Sequence, residues 1–369
     1  MDQDHVPIIA GNFEPFFIIT YKPEDQWDVS LDQVNQRSYD YVKLCRASLN
    51  VDIGIAPFSM AVCYDGTLVL PFTDRYRDSK TALSDFNKLL AEIFFGGIYV
   101  EAMSPDDLSY GSMTFTAYTK LHGNNGGAVA NFHRAIRTKY VGTLDVIRLF
   151  KPIHIDSKKF QEAISLGRKR LHAIGPLHTE TILYGSTFYT KNLWAESLIH
   201  LWTSIEQLVA QLWERKIKSS SRVEGIPPKA RNAFLGDNRT WAVSSKLELL
   251  YQKGLIPAPT YAHLDRSRKS RNQFAHTGER PAKEDVETCL SALFELASLC
   301  MTDGADPSQF KLIQSDLTER GKQFLDRTSS GEIEPTHWLP MPPLPGDKNW
   351  GDKPFEVIED LCLRKLKGP

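Results

Sequence analysis

A long apolar stripe between residues 190 and 218 constrains this chain more than any other feature. Leu193, Trp194, Leu198, Leu201, Trp202, Ile205, Leu208, Val209 and Leu212 recur at helical spacing. A stripe that long is stable only when buried against neighbouring elements, so the chain must build a helical layer around it. Helical periodicity governs the sequence from about residue 155 onward. Asp156 or Ser157 can cap a helix that runs to Ile174 and stops at Gly175-Pro176. After a basic, Ser-rich connection over 216–228, helices are expected near Lys229–Leu235 and Thr240–Lys253. Another should start after Pro257 and Pro259 and end at Gly278, and a last one should run from about Pro281 to Met301.

The first 150 residues follow a different rhythm. Phe16–Tyr21 is a short β-prone run. Met60–Tyr64 and Thr67–Leu70 flank Asp65-Gly66, a two-residue hairpin signal. A helix is expected from about Ser79 to a stop at Gly96, with further strands around Ile98–Ala102 and Ser112–Tyr118. The expected fold class is therefore α+β: a mixed α/β domain over 1–150, then an all-α bundle over 155–303. Residues 304–369 are expected to form a C-terminal arm. Its Pro-rich stretch, Glu334–Gly346, should be extended, either packed on its own domain or serving as a partner ligand.

At 369 residues with 41% hydrophobic side chains, the chain can bury a sizeable core. Its net charge is −1, but residues 151–280 hold 21 Lys and Arg against 11 Asp and Glu. That segment therefore carries +10 and the remainder −11. The asymmetry points to a polyanionic partner for the middle segment. The five cysteines never form a CxxC pair, MDQDHVPIIA does not read as a secretory leader, and no run is long and apolar enough for a membrane span. A cytoplasmic protein without membrane association is expected, with Cys289 and Cys300 structural.

The segment Arg271-Asn272-Gln273-Phe274-Ala275-His276 carries the most chemistry. On a helix, Asn272 and His276 share a face, with Arg268 one turn before Asn272; Arg271 lies to the side of that stripe, but its long stem can bring the guanidinium round to it. A guanidinium with bidentate donors beside a titratable imidazole is what phosphodiester chemistry without a metal requires. Other signals are weaker. His122 and the Gly-rich run to Gly127, opening into Ala128–Tyr140 with His133, Arg134, Arg137 and Lys139, can cradle a phosphate or serve as a connecting loop. His172, His178 and Glu180 are separated by the helix break at Gly175-Pro176, so neither a metal nor a cofactor is expected. Trp194, Trp202 and Trp213 fit a core or dimer face better than a base-stacking platform.

The order of these elements resembles a HEPN domain, nearest its Apea-like branch. The features that carry the resemblance are a long helix with Trp202-Thr-Ser-Ile-Glu206-Gln-Leu, two shorter helices, Arg271-Asn272-x3-His276-Thr-Gly, and another amphipathic helix. It covers roughly residues 155–303 and leaves the first 150 unexplained. It implies a metal-independent endoribonuclease acting as a homodimer through the helical domain, which brings two motifs into one cleft. The setting implied is prokaryotic antiviral defence or a toxin-type stress response, with the N-terminal half sensing a trigger or regulatory partner.

On this reading RNA supplies its own nucleophile, the 2′-OH, and leaves 2′,3′-cyclic phosphate ends. His276 moves protons, Arg271 holds the phosphate oxygens and Asn272 orients either group. Its place near a helix C-terminus should favour the protonated form of His276. Glu206, mid-helix among apolar neighbours, is expected to pair with Arg271 or Arg268. Lys216, Lys218, Arg222, Lys229, Arg231, Arg266, Arg268 and Lys269 would supply contacts along bound RNA. Three alternatives stay open: a catalytically silent RNA-binding or protein-interaction module, a small-ligand enzyme using His122 and the Gly-rich loop, and a substrate for a partner nucleotidyltransferase.

Overall fold

The computed structural model describes residues 5–22, 24–36, 38–55, 58–114, 118–122, 149–219, 227–301 and 308–329. β1 (His5–Gly11), β3 (Ala47–Ile55), β4 (Phe58–Cys63), β5 (Leu68–Pro71), β6 (Leu108–Thr114) and β7 (Lys120–His122) form an antiparallel sheet in the order β3-β4-β5-β1-β6-β7. Arg46 bridges to Thr119, and the Ala47 N–H donates to the Tyr118 carbonyl at 2.8 Å. The two ends of the strand order therefore meet at one end and the sheet curls on itself. A separate parallel pair joins β2 (Phe17–Thr20) to β8 (Ile153–Asp156).

The hairpin forms where the sequence predicts it. Gly66 takes φ 78°, and the Asp65 carboxylate accepts from the Thr67 N–H at 3.1 Å. Ile98–Ala102 forms no strand. The N–H groups of Glu101, Ala102 and Met103 go instead to the Glu14 carbonyl, Thr187 Oγ1 and Asn87 Oδ1. Those partners replace a strand ladder and let an apolar run stay irregular in the interior.

Besides the short helices α1 (Leu31–Asn35) and α2 (Tyr41–Cys45), the sheet half carries α3 (Ser79–Phe95), whose Phe86, Leu89, Leu90, Ile93 and Phe94 are all buried. The helical half comprises α4 (Ser157–Ile174), α5 (Thr179–Thr190), α6 (Trp194–Leu212), α7 (Pro228–Leu235), α8 (Val243–Gln252), α9 (Ala258–Thr277), α10 (Lys283–Cys300) and α11 (Ser308–Ser329). Asp156 caps α4 through the Lys158 and Lys159 amides.

The long apolar pattern is shorter than its periodicity suggests. Asn192, at φ 58°, separates α5 from α6, and Trp213–Lys218 winds as a π-helical turn. From that turn Arg215 donates to the carbonyls of Ile174 and Cys300, at 3.0 and 2.7 Å, serving the C-termini of α4 and α10 together.

One hydrophobic cluster runs from Ile9, Met60 and Leu70 in the sheet, through Phe86 and Phe94 of α3, to Leu201, Ile205 and Leu293 in the bundle. The sheet half and the helical half thus belong to one compact unit, which extends from the N-terminus to Phe324. Residues 325–369 form a second unit, of which the end of α11 is described. The region expected to be an arm beyond residue 304 contributes buried Phe310, Ile313 and Leu317 from α11. The Pro-rich stretch lies outside the described residues.

Cys289 and Cys300 are buried in α10, and burial pushes both thiols up to about 12. Their thiolates should therefore be scarce at pH 8. Native-state labelling at both positions is expected to run about a thousandfold slower than for a free thiol. Peptide mapping after alkylation with and without denaturant checks this; rapid native labelling would contradict the packing.

Candidate functional site

α9 presents two distinct strips. Pro257 and Pro259 start it, since a first-turn residue needs no intrahelical N–H. Gly278 ends it at φ 74°, its N–H donating to the Phe274 carbonyl at 2.9 Å. Thr260, Leu264 and Ser267 are the buried residues of the helix, facing α6 and α10. Tyr261, Asp265, Arg268, Asn272 and His276 follow one another at helical spacing along a second strip.

Arg271 is in phase with Leu264 and Ser267, which accounts for its partial burial. Its Nη1 donates to Asn272 Oδ1 at 3.2 Å, so the guanidinium steadies the carboxamide beside it. His276 is exposed on the last turn, with no side-chain partner among the described residues. Below it the helix end is fastened locally: Thr277 Oγ1 donates to the Gln273 carbonyl, and Gln273 donates to Glu279 at 2.6 Å. Arg271 and His276 stand five residues apart on α9, with Arg271 to the side of the strip that carries His276.

Glu206 does not pair with the motif. Its carboxylate accepts from the indole of Trp202, one turn back on the same helix, at 2.6 Å. Arg268 instead bonds to Asp265 at 2.8 Å, and Lys269 reaches the same carboxylate at 2.7 Å. Hydrogen bonds from Lys269 and Arg268 hold the Asp265 carboxyl below its usual range. Asp265 stands one turn before Arg268 on the same helix, a spacing that the sequence itself displays.

The expected RNA contacts are spread over several elements. Lys216 and Lys229 are exposed, and Arg231 is half-buried. Lys218 pairs with Glu214 at 3.0 Å, and Arg266 with Asp285 at 2.9 Å. Surface pairs of this kind are weak enough for a phosphate to displace the carboxylate. Arg222 lies outside the described residues, as do the Gly-rich loop after His122 and Ala128–Tyr140. Trp202 and Trp213 are buried, and the half-buried Trp194 packs on Tyr189 at the edge of the core. Among the described residues no three His, Cys, Asp or Glu side chains converge as a metal site would need, and no helix is long and apolar enough to cross a membrane.

A cleft of about 330 Å³ lies between α8 and α9, lined by Ser244, Ser245, Glu248, Tyr261, Asp265 and Arg268 among others. Tyr261 donates to Glu248, which also accepts from Gln252 at 2.7 Å. The Tyr261 ring stacks on Tyr251, with centroids 4.5 Å apart and planes 17° from parallel. The motif strip thus continues directly into the cleft through Arg268. Sequence reading missed Glu248 and Tyr261. The available signal was the spacing of Tyr261, Asp265 and Arg268 on the strip that leads to Asn272.

Comparison with protein-family models, curated proteins and solved structures finds no match to this chain.

Proposed function

We propose that the protein is a metal-independent endoribonuclease of HEPN type, with Arg271, Asn272 and His276 as its catalytic set. The observation that carries this reading is the end of α9. There an exposed imidazole stands one turn after a carboxamide steadied by a half-buried guanidinium. His276 takes the proton from the 2′-OH or returns one to the departing 5′-oxygen. The 2′-oxygen bonds to phosphorus as the P–O5′ bond breaks, and Arg271 neutralises the non-bridging oxygens of the phosphorane. The products are a 2′,3′-cyclic phosphate and a 5′-hydroxyl.

Since Arg271 stands to the side of the strip that carries His276, the reading calls for a second copy whose motif completes the cleft. RNA is then the substrate and a homodimer through the helical half the working form. A role in defence or stress response fits a nuclease whose sheet half, built from β1 and β3–β7, receives a trigger. The test is incubation of purified protein with a labelled RNA pool in EDTA, followed by analysis of the ends. Cyclic phosphates that disappear in a His276→Ala variant support the reading. RNA left intact by the dimeric protein across triggers and salt concentrations refutes it. Salt-sensitive RNA binding without cleavage would identify a silent binding module instead.

A further inference from the structure

We propose that the cleft between α8 and α9 is a guanine-reading subsite for the RNA strand cut at the motif, an inference that rests on the ribonuclease reading above. Its volume, about 330 Å³, lies at the small end of the range for ligand pockets and suits one nucleotide. Its polar groups suit guanine best, because that base alone offers two adjacent donors to a carboxylate and two acceptors to a guanidinium. Guanine presents adjacent N–H donors on its Watson–Crick edge and two acceptors, O6 and N7, on its major-groove side.

Glu248 supplies an acceptor-only carboxylate. Each oxygen keeps a lone pair beyond its bond from Tyr261 or Gln252. The same two bonds hold the Glu248 carboxyl below its ordinary range, so it stays ionised at neutral pH. Adenine would bring its N1 lone pair, cytosine its N3 lone pair and uracil its carbonyl oxygens against that carboxylate, so each makes a poorer pair than guanine. Asp265 engages Arg268 through one terminal nitrogen, leaving further N–H groups of the guanidinium for O6 and N7.

An aromatic wall completes the pocket. Tyr261 lines it, and Tyr251 stacks behind Tyr261, a rigid surface of the kind on which bases stack. Ser244 and Ser245 add hydroxyls from the first turn of α8, where the residue before the helix, Ala242, offers no side-chain cap to the free amides. Arg268 and His276 are eight residues apart on one strip, roughly 12 Å by helical rise. A short stretch of single-stranded RNA spans that interval, so the cleft would select where the motif cuts.

Titration of the full-length protein with each of the four nucleoside 5′-monophosphates, followed by calorimetry, tests the cleft apart from catalysis. Guanosine monophosphate is expected to bind at least about tenfold more tightly than the others, a margin within reach of one paired base edge. Glu248→Gln keeps an acceptor for Tyr261 but places an amide against the base, and should erase that margin. Arg268→Met should erase it as well, whereas His276→Ala should retain it. Equal affinities, or a margin untouched by both cleft variants, would overturn the proposal. Cleavage of an RNA pool without enrichment of guanine near the cut, together with unselective binding, sinks the cleft and leaves the nuclease standing. Selective binding with intact RNA refutes the nuclease and leaves a guanine site.

Discussion

Gly167→Ala is expected to destabilise the protein by about 3 kcal/mol or more, and Gly96→Ala by a similar amount. At their crossing α3 and α4 touch backbone to backbone. A Cβ on Gly167 would lie 2.7 Å from the Glu92 carbonyl carbon, overlap its oxygen and stand 3.0 Å from the Gly96 nitrogen. One on Gly96 would overlap the Ala163 carbonyl in the same way. The obstacles are backbone atoms of two packed helices, so no side-chain rotation relieves them. In an exposed helix the same change would gain about 1 kcal/mol, because alanine is the better helix former. A loss therefore reports the crossing itself.

Urea denaturation of both variants measures the effect as a lowered midpoint at unchanged slope. Leu166→Ala, at a neighbouring position that is 41% exposed, serves as the control and should cost under about 1 kcal/mol. A Gly167→Ala protein as stable as wild type would mean that the two helices do not cross in contact. Since α3 comes from the sheet half and α4 from the helical half, the glycines govern how the halves fasten together.

Local rules written in neighbouring residues were legible in the sequence. The Asp65-Gly66 turn, the Asp156 cap, the stop at Gly175 and the span from Pro259 to Gly278 each depend on side chains a few positions apart. What was not legible depends on partners distant in the chain. β1 lies inside the sheet with Ile8, Ile9 and Ala10 all buried, so it lacks the alternation that marks a strand. β3 alternates, but register shifts against β4 interrupt its pattern.

α11 escaped the reading because its apolar stripe is thin: Phe310, Ile313 and Leu317 are buried, while Leu312 beside them points to solvent and polar residues fill most of the run. In the site, the strip of Arg268, Asn272 and His276 followed from helical spacing alone. The fate of Glu206 did not, since Trp202 on its own helix satisfies it. The cleft needed α8 and α9 brought side by side.

His276→Ala is expected to lower the rate of RNA cleavage by at least about a hundredfold, the usual contribution of a positioned general acid or base. The variant should fold normally. His276 is exposed on the last turn of α9, so its loss should move stability by no more than about 0.5 kcal/mol. A collapse in activity at unchanged melting temperature would then belong to the chemistry.

Arg271→Lys separates charge from geometry. Lysine keeps the positive charge but loses the planar fork that grips two phosphate oxygens, so a loss of about a hundredfold is expected there too. RNA affinity should fall far less than the rate if, as proposed, phosphate contacts are shared among Lys216, Lys229 and their neighbours. Mixing His276→Ala protomers with Arg271→Ala protomers decides where the site lies. If motifs from two copies build one cleft, each variant carries the part the other lacks, and the mixture should regain activity that neither variant has alone. A mixture as inert as its components would place the whole site within a single chain. In that case the Arg271 side chain, which already reaches Asn272 on the His276 strip, would serve the imidazole of its own chain.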